Sequence, residues 1–278
     1  GRYSFIGLAP DLIWRCQGNM AEINRDALTD LEAFAPCPVA EAEGAIASLR
    51  SLVAESRIEL PEGLPPMSAG LVGYASYDTV RLVENIPDTN PDVLGIPDGM
   101  FIRPTVMAVF DTIKDMISIF TPVWPKDGVD AQDAYGAAVE RLRHIVAEFD
   151  TPLPEAARAH PESDVAVLNP ASNTSQAEFH AMIDKAKEYI KAGDIFQVVL
   201  SQRFSVPFPY PPFALYRALR RLNPSPFLFF LDFGKFNIVG SSPEILVRVR
   251  DGLQRGLPRF AGVRRRLHAL EGAGLRGD

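Results

Sequence analysis

The sequence predicts an α+β protein, and three observations carry that reading. Runs rich in β-branched and aromatic residues, bounded by turn residues, read as strands, one pair of which returns as a hairpin. Apolar stripes at helical spacing recur within 41–57, 131–149 and 176–190. A length of 278 residues with 47% apolar and 23% charged side chains suits one large globular domain or two ordinary ones.

The first 150 residues read as one mixed unit. Tyr3 to Ile6 and Asp11 to Cys16 are expected strands, Gln17-Gly18-Asn19 is a turn, and Met20 to Ile23 returns as the hairpin partner. Ile46, Leu49, Leu52 and Val53 give a helix within 41–57, which the Pro-rich stretch 60–66 ends. A strand is expected at Ala69 to Val72 and a helix through Tyr77 to Leu82. Phe101 to Phe110 and Met116 to Val123 follow as strands joined by the loop Asp111 to Asp115. Over 131–149, Ala138, Leu142, Ile145, Val146 and Phe149 form one helical stripe.

Residues 151–174 change character, with four Pro spread through the neighbouring Ala, Ser, Glu and Asn, and read as a linker. Ser175 with Glu178 is a capping box opening a helix striped by Phe179, Met182, Ile183, Ala186 and Ile190, with Gly193 at its left-handed end. Ile195 to Val206 reads as a long strand, and Pro211-Pro212 opens a helix reaching Leu222. Phe227 to Phe233, Asn237 to Gly240 and Ile245 to Val249 are expected as a meander.

Composition excludes several classes of function. No run of 18 apolar residues exists, and the first residues have neither a charged nor an apolar leader region, so membrane and secretory readings fall. Two cysteines, Cys16 and Cys37, are too few for a disulfide framework or a cysteine metal cage and point to a reducing cytoplasm. A net charge of −7 argues against a general nucleic-acid binder. Residues 253–278 stand apart: six Arg, no Lys and two acids give +4, and Gly, Arg, Leu and Ala fill 19 of the 26 positions. This tail reads either as a basic, flexible tail suited to an acidic partner or, preferred here, as an aberrant, out-of-frame end near residue 252, and a start in mid-strand without Met reads as a fragment.

Generic catalytic motifs are missing: there is no G-x-G-x-x-G, Walker loop, H-E-x-x-H or G-x-S-x-G. His144, His160, His180 and His268 fall in expected helices, the linker or the tail, and read as solvated or packed residues. Longer segments are more specific. In order, they are Arg2-Tyr3-Ser4-Phe5-Ile6-Gly7, Ile96-Pro97-Asp98-Gly99-Met100-Phe101, the stretch from Gly193 to Phe204 centred on Gln197-Val198-Val199-Leu200-Ser201, Asn223-Pro224-Ser225-Pro226-Phe227, and Gly240-Ser241-Ser242-Pro243-Glu244. Together they resemble the large (aminase) subunits of anthranilate synthase, a branch of the chorismate-utilising enzyme family, over about residues 1–252.

The resemblance implies stacked antiparallel sheets flanked by helices, here incomplete. Residues 1–150 would form the family's N-terminal domain, 151–174 the linker and 175–252 the start of the chorismate-binding domain, with 253–278 outside the pattern. It implies conversion of chorismate and glutamine-derived ammonia to anthranilate and pyruvate, a lyase reaction of tryptophan biosynthesis. Mg²⁺ is implied as cofactor of the complete enzyme, with its ligands in the half not represented in this chain. The implied partners are chorismate, tryptophan as feedback inhibitor and a glutamine amidotransferase subunit, without nucleic acid or membrane.

Three pieces of site follow from the resemblance. Gln197 lies where isochorismate-forming relatives carry a water-activating lysine; an amide is a poor base, so its role would be to orient ammonia by hydrogen bonding, against the plain alternative of an inward strand residue. Pro226, Phe227 and Leu228 match a Pro-Tyr/Phe-Met segment that contacts tryptophan, with core strand as the alternative. Phe260-Ala261-Gly262-Val263-Arg264 resembles a Pro-Ile-Ala-Gly-Thr-Arg loop in which Gly-Thr contacts chorismate, so Gly262 and Val263 are the chorismate candidates, Val263 lacking the hydroxyl donor. The other tryptophan-binding segment of the family, Leu-Leu-Glu-Ser, precedes the Arg2-Tyr3-Ser4 match and is absent. The expected function is therefore that of an inactive fragment of an anthranilate synthase large subunit. The alternatives are an aminodeoxychorismate synthase large subunit, or a noncatalytic protein that binds tryptophan or docks a glutaminase.

Overall fold

Strand β1 (Tyr3–Gln17) runs 15 residues without interruption, where sequence alone suggested two strands. Pro10 does not end it because β1 carries an irregularity there: Ala9 takes a positive φ of 49°, and the register shifts between Pro10 and Leu12, with one more residue on β1 than on its partner. The computed structural model describes residues 2–152 and 169–247. The chain divides into two units, Gly1–Arg158 and Ala159–Asp278.

In the first unit β1 turns through Gly18-Asn19 into β2 (Met20–Asn24), Gly18 supplying the positive φ that the two-residue turn requires. A two-residue strand β3 (Ala35–Pro36) extends the edge beyond β2. β5 (Gly99–Asp111) pairs with β1 along the whole length of both, from Tyr3 opposite Asp111 to Cys16 opposite Gly99. The other side of β5 is shared by β4 (Val72–Ala75) at one end and β6 (Met116–Phe120) at the other, giving an antiparallel six-stranded sheet. Residues 104–109 of β5 are buried on both faces, as a central strand requires.

The helix expected within 41–57 is two helices, α1 (Pro38–Glu43) and α2 (Ala45–Glu55). Gly44, at φ 90° and ψ 172°, breaks them, and the Asn19 side chain caps α2 by accepting from the Ala45 N–H at 3.1 Å. Ala45, Ser48 and Leu52 face the sheet, whereas Val53 is exposed. They pack on Leu12, Trp14, Cys16, Ala21 and Ile23, which alternate onto one face of β1 and β2. Inside this core the Trp14 indole donates to Ser48 Oγ at 2.8 Å, and Cys37 Sγ lies 3.1 Å from the same oxygen. Cys16 sits opposite Ala21, whose carbonyl accepts from the N–H of Cys37, the residue between β3 and α1, so the two cysteines flank one residue of β2. The segment Tyr77–Leu82 is a 3₁₀ turn. Arg103 binds Asp11 through two hydrogen bonds of 2.8 and 2.7 Å while stacking over Trp124. α3 (Ala131–Phe149) matches the expected helix, capped by Asp130. Ala138 is its one buried residue, and Val146 and Phe149 of the expected stripe are exposed.

In the second unit β7 (Ala171–Ser172) pairs with β8 (Phe204–Ser205), around α4 (Gln176–Ala192). The capping box of Ser175 and Glu178 is formed, and Gly193 closes the helix at φ 82°. The expected strand from Ile195 to Val206 reduces to β8 alone. A strand exists only where another backbone takes up its N–H and C=O groups, and among the described residues no strand is paired with residues 195–203. α5 (Pro212–Leu222) packs on a hairpin of β9 (Phe227–Asp232) and β10 (Asn237–Ser242). Phe213 meets Phe230 edge-on at 5.2 Å and stacks with Tyr216 at 5.5 Å. Ile245 to Val247 add no third strand, and residues 248 and 249 lie outside the described residues. Mixed helices and antiparallel sheets make the α+β class plain. Among the described residues no helix is long and apolar enough to cross a membrane.

Candidate functional site

Two of the segments singled out in the sequence meet at one end of the β9–β10 hairpin. The register sets Phe227 opposite Ser242 and Leu228 opposite Ser241, which brings Asn223-Pro224-Ser225-Pro226 beside Ser241-Ser242-Pro243-Glu244. Hydroxyl groups tie the two together. Ser225 Oγ donates to the Ser242 carbonyl and accepts from the Phe227 N–H at 3.2 Å. Asn223 Nδ2 donates to Ser241 Oγ at 3.4 Å, and that hydroxyl donates back to the Asn223 carbonyl at 3.3 Å. Ser242 Oγ also donates to the Glu244 carbonyl at 3.0 Å. The polar groups that fix this end are therefore Asn223, Ser225, Ser241 and Ser242. All four stand in the Asn-Pro-Ser-Pro and Gly-Ser-Ser-Pro segments that carry the family resemblance, but none is a site candidate from sequence.

Of the tryptophan candidates, Pro226 is exposed just before β9, and Phe227 and Leu228 are half-buried within it. Successive strand residues point to opposite faces, so Phe227 and Leu228 present their side chains on different sides of the hairpin. The face shared by Leu228 and Phe230 is covered at Phe230 by the rings of α5, while Phe227 lies on the other face. A ligand touching all three residues would sit at the end of the strand, not on either face.

Gln197 is exposed and lies outside any strand. Its segment is anchored further along: Gln202 Nε2 donates to Ser172 Oγ at 2.8 Å, and Arg203 and Asn173 exchange backbone and side-chain hydrogen bonds of 3.0 and 2.8 Å. Gly262 and Val263 lie outside the described residues. Among the described residues no three His, Cys, Asp or Glu side chains converge as a metal-binding group.

The first unit contains a cleft of about 200 Å³ between α2, the 3₁₀ turn and the sheet, lined by Trp14, Cys16, Leu49, Leu82 and Phe101 among others. Its one hydroxyl, on Thr79, is committed to the Ser76 carbonyl at 2.7 Å. With no converging polar groups the cleft has apolar packing but no chemistry, and none of the candidate site residues lines it. Burial pushes the Cys16 thiol up to about 11, so it is a poor nucleophile.

Comparison with known proteins accounts for these segments. Residues 10–256 match the family described as chorismate binding enzyme. A curated protein named anthranilate synthase component 1 from Cereibacter sphaeroides is 48% identical over 267 residues, 96% of this chain and 52% of its own length. One of the same name from Aquifex aeolicus is 33% identical over 270 residues, 96% of this chain and 51% of its own. The crystal structure of anthranilate synthase component I from Streptococcus pneumoniae superposes with a TM-score of 0.71 at 27% identity, covering 91% of this chain and 52% of that one. The chain thus spans about half the length of the curated relatives it matches. By a match that covers most of its length, the chain belongs to the chorismate binding enzyme family.

Proposed function

We propose that this chain carries about half of an anthranilate synthase large subunit, the aminase that makes anthranilate and pyruvate from chorismate and ammonia. The observation that supports this branch is the 48% identity to a protein of that name across 96% of the chain. In this reading residues 1–150 are the N-terminal domain, 151–174 the linker and 175–252 the opening of the chorismate-binding domain. The reaction is that of a cytoplasmic lyase, with a glutamine amidotransferase subunit as the ammonia source and tryptophan as the feedback inhibitor.

The chemistry sets the demands on the complete site. Chorismate is a dianion and its C4 hydroxyl must leave, so the site needs donors for two carboxylates and an acid for the leaving group. Mg²⁺, when bound, would neutralise carboxylate charge, and in this reading its ligands would come from the half not represented in this chain. Gln197 would hold ammonia through its amide, Gly262 and Val263 would approach chorismate, and Pro226, Phe227 and Leu228 would border the inhibitor. An exposed Gln197 supplies little orientation by itself, since solvent competes for its amide.

The 278-residue chain alone is therefore expected to be silent in an anthranilate fluorescence assay with chorismate, Mg²⁺ and excess ammonia. A chimaera extended with the remaining sequence of the Cereibacter relative should turn over. Enzyme-like turnover by the chain alone would overturn the assignment of the missing machinery. Production of 4-amino-4-deoxychorismate by the chimaera would overturn the branch.

A further inference from the structure

Three Asp-Gly pairs occur in the chain: Asp98-Gly99, Asp127-Gly128 and Asp251-Gly252, the last outside the described residues. A carboxyl followed by glycine can be attacked by the glycine nitrogen, because no side chain hinders the approach and the glycine backbone turns freely. The fold decides whether the two groups can meet, and it treats the two described pairs in opposite ways.

Asp98-Gly99 is locked. Gly99 is buried at the start of β5, opposite Cys16 of β1 on one side and Ala75 of β4 on the other. The Asp98 N–H donates to the Cys16 carbonyl at 2.8 Å, and the Asp98 carbonyl accepts from the Ser76 N–H at 2.7 Å. The Asp98 carboxylate is itself held, accepting from the Gly18 N–H at 2.6 Å. A Cβ added at Gly99 would meet Cys16 Sγ at 3.2 Å, so the backbone there is closely packed. Rearrangement of this pair requires local opening of the sheet.

Asp127-Gly128 has none of these restraints. It forms a turn between β6 and α3, closed by the Val129 N–H on the Lys126 carbonyl at 3.1 Å. Residues 126–130 are all exposed, and Lys126, Asp127 and Asp130 give the turn the charge of a solvent-facing one. Gly128 has a φ of 77°, and a Cβ built on it would meet nothing within 4 Å. Among the described residues neither the Asp127 carboxylate nor the Gly128 N–H has a hydrogen-bond partner.

We propose that Asp127-Gly128 is a site of spontaneous isoaspartate formation, and that the sheet protects Asp98-Gly99 from the same reaction. The Gly128 nitrogen attacks Cγ of Asp127; the N–Cγ bond forms, the nitrogen gives up its proton and a carboxyl oxygen leaves as water. Water then opens the five-membered imide by cleaving the bond between the nitrogen and the main-chain carbonyl carbon of Asp127. The backbone now runs through Cγ. One water is lost and one regained, so mass and redox state are unchanged.

Ageing the intact chain at physiological temperature and pH tests this. Isoaspartate is read by the labelled methyl group that an isoaspartyl carboxyl methyltransferase adds, and located by mapping with a protease that cuts before aspartate but not before isoaspartate. In the folded chain position 127 should be modified at least about tenfold faster than position 98. In urea the two rates should converge, since both pairs are then solvated. Asp127→Glu, whose carboxyl carbon is one bond too far for the five-membered ring, should lose the signal at 127 with circular dichroism unchanged. Modification at 98 as fast as at 127, with native indole fluorescence retained, would overturn the proposal. So would an unmodified position 127 in the folded chain over a time in which the urea-unfolded chain is labelled. A rate difference that persists undiminished in urea would also overturn it, because the fold would not be its cause.

Discussion

The two units of the chain use the same local devices and reach different degrees of burial. The first puts Trp14, Leu12, Val106 and Val109 at 2% exposure or less, with α1 and α2 laid on one face of a six-stranded sheet. In the second, no described residue is buried at all. Yet α4 has the fullest cap described in the chain, with both hydrogen bonds of the capping box and a left-handed glycine at its end. Capping satisfies the ends of a helix; it does not supply a second layer. Two paired strands and one helix cannot enclose a side chain, whereas five or six strands with helices across them can. The lesson is that complete local signals and a closed core are independent properties.

The largest expected difference between the units is in core truncation. Trp14→Ala should destabilise the first unit by about 3–5 kcal/mol, since it removes a fully buried ring and leaves Ser48 short of a partner. Phe230→Ala should cost the second unit about 1–2 kcal/mol, because its ring is only half enclosed. Urea titrations can separate them: both tryptophans, Trp14 and Trp124, lie in the first unit, so indole fluorescence reports that unit while far-ultraviolet circular dichroism reports both. Equal costs, or coincident transitions by the two probes, would break the comparison.

Next comes the cap. Ser175→Ala should cost α4 about 1 kcal/mol, read as lost helicity at low urea without any change in the fluorescence midpoint. A shifted fluorescence midpoint would mean that the two units unfold together.

The smallest effect is in acid and sharpens the comparison from the side of charge. The Arg2 guanidinium, through paired hydrogen bonds, holds the Asp111 carboxyl well below the usual carboxylate range, and the Ser175 hydroxyl holds Glu178 down more modestly. A carboxyl whose folded pKa is depressed stabilises the fold above its unfolded pKa and loses that contribution as pH falls through the folded value. Each unit should therefore weaken as pH drops below about 4, with the first unit's loss reduced in Asp111→Asn and the second's in Glu178→Gln. Glu178 is exposed, and Arg2, the partner of the largely buried Asp111, is exposed as well, so salt should shrink the effect. A pH profile unchanged by both substitutions would remove these carboxyls from the stability of either unit.

Sequence made α3 and α4 legible because their ends carry side-chain caps and their stripes run unbroken. The split at Gly44 was hidden because the residue capping α2 is Asn19, 26 positions upstream and adjacent only in the fold. β1 was legible as two strands, since nothing in the chain around Pro10 announces that β5 would tolerate a shifted register. The stretch from Ile195 to Val206 has all the β-formers of a strand, but strand propensity measures fit to a neighbouring surface, and among the described residues no strand provides one along 195–203. At the candidate site the segments themselves were readable, and so was their order. Their meeting was not: the contact of Ser225 with Ser242 depends on a hairpin register that sequence does not print.

The placement of Cys16 and Cys37 on either side of Ala21 has a practical consequence for spectroscopy. Two strand spacings, roughly 9–10 Å, separate positions related in this way, beyond the reach of a disulfide. Both side chains are also closed to solvent, at 3% and 6% exposure, and the Cys16 thiol resists ionisation. The native chain therefore offers maleimide dyes and spin labels no ready target. A single cysteine placed on the exposed side of α4 could be labelled selectively without removing either natural one, giving the tryptophan-free second unit a reporter of its own.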